Sequence, residues 1–200
     1  MKKIIVGITG ASGSIYALNF LKHITSLGLH STLVVTDTGD AVFRYETGQT
    51  IAEAVRDLDV LAGVSGKIRI YKNTDMFADI ASGSHKTKGM VVIPCSMKTL
   101  SGIVNGYSSS LLERAADVTL KEGRKLILVV RETPLSLIHL NNMTKAVEAG
   151  AVILPASPGF YHRPQSINHL ADFITGKILD RIEIEHNLNT EWKKQIRVEK

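Results

Sequence analysis

Residues 3 to 14, KIIVGITGASGS, constrain the fold of this chain more than any other stretch. Ile4, Ile5 and Val6 form a continuous β-branched run rather than an alternating one, the pattern of a parallel strand covered on both faces. Gly7, Gly10 and Gly13 then break the apolar run, and small residues there let main chain approach a ligand. Ser12 and Ser14 are candidate N-caps for a helix over residues 15–27, whose first N–H groups lack partners and carry the positive end of the helix dipole. Such a turn suits a phosphate. It equally suits an ordinary tight turn in an α/β protein. The spacing is G-x-x-G-x-x-G rather than G-x-G-x-x-G, and Asp37 is the only acidic residue near the end of the next strand. A plain NAD site is therefore disfavoured.

The same strand-turn-helix grammar continues along the chain. Residues 30–36, HSTLVVT, read as a second strand reached through Gly28 as a helix C-cap. Open α/β sheets bind ligands outside the carboxyl ends of their strands, so Thr36 falls on the same rim as Gly10, Ala11 and Ser12. Its hydroxyl can also bond local backbone, and both roles stay open. A helix is expected over residues 40–48, with Glu46 near its end, and another over 51–61. Residues 67–71 alternate as a short strand, and 73–84 are rich in turn formers, as in a loop packed against the domain.

A third long run, residues 89–94, is expected to end at Pro94. PCSMKTL then places Ser96 and Thr99 at the start of a helix, again on the carboxyl rim. Cys95 is a tempting nucleophile, but no His or acid lies close to it in sequence and buried thiols are usually inert. Lys98 reads as surface. An amphipathic helix over 111–120 leads to the apolar strand 126–130, which ends on Arg131 and Glu132. A charged pair there is either salt-bridged structure or part of a site. Helices over 141–149 and 167–182 flank a last strand at 151–154, and 183–200 read as a polar arm.

The chain has 200 residues, 44% of them hydrophobic, which is enough for the core of one domain over 1–182. The net charge of +5 raises the question of nucleic acid. The basic residues are dispersed, however, and aromatics make up only 6% of the chain, so anionic small ligands account for the excess equally well. No nucleic-acid or membrane partner is expected. A single cysteine, Cys95, excludes an internal disulfide and fits a reducing compartment. No apolar run reaches a membrane span, and no signal segment is evident after MKK, so a cytoplasmic location is expected.

Seven motifs in order, TGASG (9–13), ASGS (81–84), PCSMKT (94–99), ERAADV (113–118), RETPLS (131–136), IHLNNM (138–143) and PGFYHRPQS (158–166), together resemble the flavin prenyltransferase family. The similarity runs from Lys3 to about residue 182. It implies a flavodoxin-like Rossmann fold, a doubly wound parallel sheet in three α/β/α layers. It also implies a homo-oligomer, usually a dodecamer built of trimers, that joins the prenyl group of dimethylallyl monophosphate to reduced FMN without metal. The product, prenylated FMN, serves a separate decarboxylase of the ubiquinone branch (UbiD type). By the same resemblance FMN is held by Gly10, Ala11, Ser12 and Thr36, by Ser96, Met97, Lys98 and Thr99, and by Arg131. The prenyl phosphate is held by Tyr161 and Lys177 with Lys121 and Arg131 close, and Glu46 reaches a neighbouring subunit's site.

The chemistry agrees with that likeness. Ionising prenyl-diphosphate enzymes need Mg²⁺ on an Asp-rich cluster, which this sequence lacks. Lys, Arg and Tyr can stabilise a departing monophosphate instead. The allyl cation must be shielded from water, and closing a ring on the flavin releases a proton, for which Glu132 is the candidate acceptor and Ser12 a helper near N5. Two positions depart from the family pattern: Met76 stands where relatives carry Trp, with Phe77 and Tyr107 able to compensate, and Lys177 stands where others carry Arg. Two other readings remain at this level. One is an FMN-dependent oxidative decarboxylase of a cysteinyl substrate, against which stand PCSMKT in place of P-x-S-A-N-T and a lone upstream His85. The other is a flavin carrier without chemistry.

Overall fold

In a computed structural model, which describes residues 3–61, 63 and 67–188, the apolar runs assemble into one parallel sheet. Its strands are β1 (Lys3–Ile8), β2 (His30–Val35), β3 (Ile68–Lys72), β4 (Gly89–Cys95), β5 (Lys125–Val130) and β6 (Val152–Ile153), in the spatial order β3-β2-β1-β4-β5-β6. Every neighbouring pair is parallel. This is the doubly wound order, and it reverses between β1 and β4, where the loops leaving the two strands diverge and open a crevice at the carboxyl rim.

Seven helices among the described residues cover the sheet: α1 (Ser14–Ser26), α2 (Asp37–Thr47), α3 (Ile51–Leu61), α4 (Met97–Val104), α5 (Leu111–Lys121), α6 (Leu137–Glu148) and α7 (Ile167–Arg181). Side chains alternate along each strand, so β1 sends Ile4, Val6 and Ile8 to one face and Ile5 to the other. The first face packs on Phe20 and Ile24 of α1, Phe43 of α2, Val55 of α3 and Ile174 and Ile178 of α7. The second packs on Leu100 of α4, Leu112 and Ala116 of α5 and Ala146 of α6. Burial on both faces is why the strands read as unbroken apolar runs. The result is the three-layer flavodoxin-like fold expected from the sequence.

Several boundaries differ from expectation, each for a local reason. Pro94 lies inside β4 rather than ending it, and the ladder to β5 shifts register between Val92 and Cys95, where proline supplies no N–H. α2 begins at Asp37 because Thr36 caps it, and α6 begins at Leu137 because Ser136 and His139 form a reciprocal capping box. Residues 183–188 of the expected arm are not detached: Ile184 and Leu188 pack on the α1 face of the core, while the rest of that arm, 189–200, lies outside the described residues. No helix among the described residues is long and apolar enough to cross a membrane.

Candidate active site at the carboxyl rim

The crevice between β1 and β4 is joined by one side chain. Thr9, buried just after β1, donates its hydroxyl to the carbonyl of Pro94 at 2.7 Å and accepts from the N–H of Ser96 at 2.8 Å. The two strand ends on either side of the switch point are thereby held in register. Beyond them, Thr36 and Ser96 adopt the same extended conformation, φ −75° and ψ 153°, and cap α2 and α4. Thr36 Oγ1 accepts from the N–H of Gly39 at 3.0 Å, so its hydroxyl has the local backbone role that the sequence left open. Ser96 Oγ accepts from the N–H of Thr99 at 3.3 Å and meets Thr99 Oγ1 at 3.1 Å. Two helix N-termini thus start on the rim, one on either side of the turn that leaves β1, with polar main chain and hydroxyls among their first residues.

The turn after β1 is closed from two directions. Arg131 at the end of β5 reaches over β4, its Nε donating to the carbonyl of Ser12 at 3.0 Å. From α2, the carboxylate of Glu46 accepts from the N–H of Ser14 at 2.7 Å and from that of Gly13 at 3.1 Å. Here the expectation for Ser12 and Ser14 is corrected: no side chain of this turn caps α1, and Gly13 at φ 114° is the residue at its N-cap. The capping acceptor is Glu46, brought from 32 residues away, which takes the two main-chain N–H groups. Burial disfavours its charge, but the hydroxyls of Ser12 and Ser14 and the N–H groups of Ser14 and Gly13 outweigh that and hold its carboxyl below the ordinary glutamate value. Glu46, expected at a neighbouring subunit's site, lies against its own chain's turn.

The remaining rim residues divide by environment. Ala11 and Met97 are buried, so each can offer a ligand only its main chain. Gly10 packs on Thr38: a Cβ there would lie 2.5 Å from Thr38 Cγ2. Lys98 is tethered, its ammonium 3.1 Å from Glu113. Glu113 is only 3% exposed and also accepts from the hydroxyl and N–H of Ser109 at 2.6 and 3.0 Å. Glu132 is exposed and accepts from the N–H of Thr133 at 3.1 Å. Cys95 is fully buried, which pushes its thiol up to about 12, so it holds no thiolate at neutral pH and belongs to the core.

Tyr161 and Lys177, far apart in sequence, meet on Phe173. Tyr161 stands edge-on to the Phe173 ring with centroids 5.8 Å apart, and Lys177 Nζ lies 5.6 Å from the same centroid. Lys177 also lines a groove of about 350 Å³ with Leu154, Pro155, Asp180 and Arg181, between the end of β6 and α7. Lys121 does not join them within one chain. α5 runs antiparallel to the strands and carries Lys121 to the amino end of the sheet, beside Glu122 and near Gly83, opposite the rim that holds Arg131. Met76, Phe77 and Tyr107 are all exposed.

Sequence reasoning gave no specific role to Thr9, Gly39, Glu113 or Phe173. Thr9 and Glu113 stood inside motifs, TGASG and ERAADV, whose glycines and overall match drew the attention. Phe173 had one local signal, its i,i+4 spacing to Lys177 on α7. Among the described residues no grouping of three or more His, Cys, Asp or Glu side chains could hold a metal ion.

Residues 1–182 match the flavoprotein family. The flavin prenyltransferase UbiX of Halalkalibacterium halodurans is 48% identical over 94% of this chain and 91% of its own. Among solved structures, AnUbiX in complex with FMN and dimethylallyl pyrophosphate aligns with a TM-score of 0.84 at 38% identity, over 95% of this chain and 99% of that one. A dodecameric FMN-dependent Ubix-like decarboxylase from Escherichia coli O157:H7 aligns with a TM-score of 0.83 at 39% identity, over 92% and 96% of the two chains.

Proposed function

The chain belongs to the flavoprotein family, among its flavin prenyltransferases, and from that premise we propose that it joins the dimethylallyl group of dimethylallyl monophosphate to N5 and C6 of reduced FMN. The observation that carries the reading to this chain's own residues is the closure of the rim at the β1/β4 switch point. Arg131 bonds the Ser12 carbonyl beside the two N-termini capped by Thr36 and Ser96.

The donor set fits FMN. Two helix N-termini flanking the turn after β1, the hydroxyls of Ser12, Thr36, Ser96 and Thr99 and the cations Lys98 and Arg131 match a phosphate and a polar ring edge. Gly10 and Ala11 bring main chain close, and Met97 offers only its N–H and carbonyl. When bound, reduced FMN supplies the nucleophilic N5 that captures the allyl group. Tyr161 and Lys177 hold the substrate's phosphate, with Arg131 close, and stabilise the charge it gains on leaving, so no metal is needed. Ser12, whose carbonyl is held by Arg131, is positioned near the reacting edge. Glu132, exposed at the end of β5, takes the proton released on ring closure, and the departing phosphate can share that task. Lys121 has no part in the site of its own chain.

The assembly is a homo-oligomer of the dodecameric kind reported for the E. coli neighbour. The apolar residues Leu137, Ile138 and Leu140 on α6, 46–72% exposed in the single chain, fit burial between subunits. The product, prenylated FMN, leaves for a separate decarboxylase, and the protein acts in the cytoplasm.

Purified protein incubated anaerobically with reduced FMN and dimethylallyl monophosphate tests the reading directly. The extracted flavin is expected to gain one dimethylallyl unit by mass spectrometry. Unchanged FMN under saturating substrate would overturn the transfer reaction and leave a flavin carrier.

A further inference from the structure

Phe173 has no polar atom, yet it touches both residues assigned to the substrate's phosphate. Tyr161 meets its ring edge-to-face, at 5.8 Å and 79°, and Lys177, one helical turn further along α7, holds its ammonium within cation–π reach at 5.6 Å. His162 completes the arrangement. It stacks on Phe173 at 5.5 Å and 8° and stands edge-on to Tyr161 at 5.7 Å. Each of the three rings therefore contacts the other two. Gly159 lets them sit directly on main chain: a Cβ there would lie 2.9 Å from Tyr161 Cε1 and 3.3 Å from Phe173 Cζ.

The ring that links these groups is itself anchored. Its neighbour Asp172 accepts from Asn19 Nδ2 at 2.8 Å and pairs with His23 at 2.9 Å, and Thr175 donates to Asn19 Oδ1 at 2.7 Å. These bonds tie α7 to α1, the helix whose first turn carries Ser14 and the Glu46 carboxylate. Phe173 packs against the same core face.

We propose that Phe173 is a positioning residue for the prenyl phosphate, its ring setting the orientation of Tyr161 and confining the ammonium of Lys177. The proposal rests on the assignment of Tyr161 and Lys177 as phosphate ligands. Lysine is a point charge on a stem with four rotatable bonds, and this one is exposed. A ring face beside it narrows the space its ammonium explores before substrate arrives, which lowers the ordering cost of binding. The ring's own contacts are to Tyr161, His162 and Lys177, on the substrate side, so the loss of Phe173 is expected to act on one ligand and not on the other.

The test is steady-state kinetics of the full-length protein under saturating reduced FMN, with FMN affinity measured separately by titration. Phe173→Leu is expected to raise KM for dimethylallyl monophosphate about five- to tenfold, with kcat and FMN affinity held within about twofold. Phe173→Tyr restores the ring and returns KM to within about twofold of the parent. If Phe173→Leu is too unstable to assay, Phe173→Met, whose flexible thioether adapts to the gap while still removing the ring, reads the same loss. In the double variant Phe173→Leu/Lys177→Ala the KM increase falls short of the product of the single effects, because the two act on one interaction. A parental KM for Phe173→Leu, an equal loss of FMN affinity, or single effects that multiply would each overturn the proposal. Lys177→Ala and Tyr161→Phe separate the two levels. If they raise KM while Phe173→Leu does not, the ring's role falls and the phosphate assignment stands. If they leave KM unchanged, the assignment falls and the proposal with it.

Discussion

Thr9 and Ser96 are joined by a 2.8 Å hydrogen bond from the Ser96 N–H to the Thr9 hydroxyl, which in turn donates to the Pro94 carbonyl at 2.7 Å. One buried side chain thus holds the two strand ends between which the sheet reverses its winding. Replacing Thr9 by Val keeps the shape but removes the hydroxyl and leaves both main-chain groups without it. The expected cost is about 2 kcal/mol of stability in urea denaturation, and Thr9→Ser should recover most of it. FMN affinity should fall in step with Thr9→Val, because Ser96 begins the α4 segment assigned to the flavin. Retention of both stability and FMN affinity in Thr9→Val would show that the bond does not hold the rim.

Glu46 stabilises the first turn of α1 in a pH-dependent way, and the sign follows from its lowered pKa. A carboxyl held below its ordinary value in the folded state contributes stability that is present in full above the unfolded value, which lies near 4.5. That contribution is lost as pH falls through the folded value. Glu46→Gln should therefore be less stable than the parent by a constant amount between about pH 5 and 7, and the two curves should converge below that range. Urea midpoints measured from pH 3 to 7 test this. A gap that persists unchanged to pH 3 would mean that the ionised carboxylate is not what holds Ser14 and Gly13.

Much of this arrangement was legible in the sequence, and what was not has identifiable physical causes. The strands could be read because burial on both faces leaves unbroken runs such as Ile4 to Val6 and Leu126 to Val130. Ser96 could be read as a cap because its partner, the Thr99 N–H, is three residues away. The cap on α1 could not: Gly13 and Ser14 find their acceptor on α2, and no local pattern favours Glu46 over any other exposed glutamate. The meeting of Tyr161 and Lys177 on Phe173 likewise needs α7 to be docked first. Lys121 lies away from the rim of its own chain for a topological reason. A helix that returns antiparallel to its strands delivers its last residue to the far end of the sheet.

Cys95 should be dispensable for chemistry. Its thiol is fully buried and pushed up to about 12, so Cys95→Ala is expected to keep turnover within about twofold and to lose only about 1 to 2 kcal/mol, the cost of a small cavity. The folded parent should also resist thiol-alkylating reagents at neutral pH. Loss of flavin prenylation in a stably folded Cys95→Ala protein would return the residue to the site.

Gly39 and Gly10 both pack where the end of β1 and its turn meet α2, and adding a methyl to each should separate main-chain from side-chain crowding. A Cβ on Gly10 would lie 2.5 Å from Thr38 Cγ2 and 2.9 Å from Thr38 Cβ, a threonine on a helix's first turn that must shift for it to fit. A Cβ on Gly39 would lie 2.8 Å from the carbonyl oxygen of Ile8 and 3.0 Å from Thr36 Oγ1. That carbonyl already accepts from the Thr36 N–H at 3.0 Å, so it cannot move without opening the junction of β1 and α2. Gly39→Ala should therefore cost about 2 to 3 kcal/mol and weaken FMN binding by displacing Thr36, whereas Gly10→Ala should cost about 1 kcal/mol less. Thermal denaturation and FMN titration of the two variants check the order. If Gly10→Ala proves the more damaging in both measurements, the main chain at Ile8 is not the rigid partner that the packing makes it.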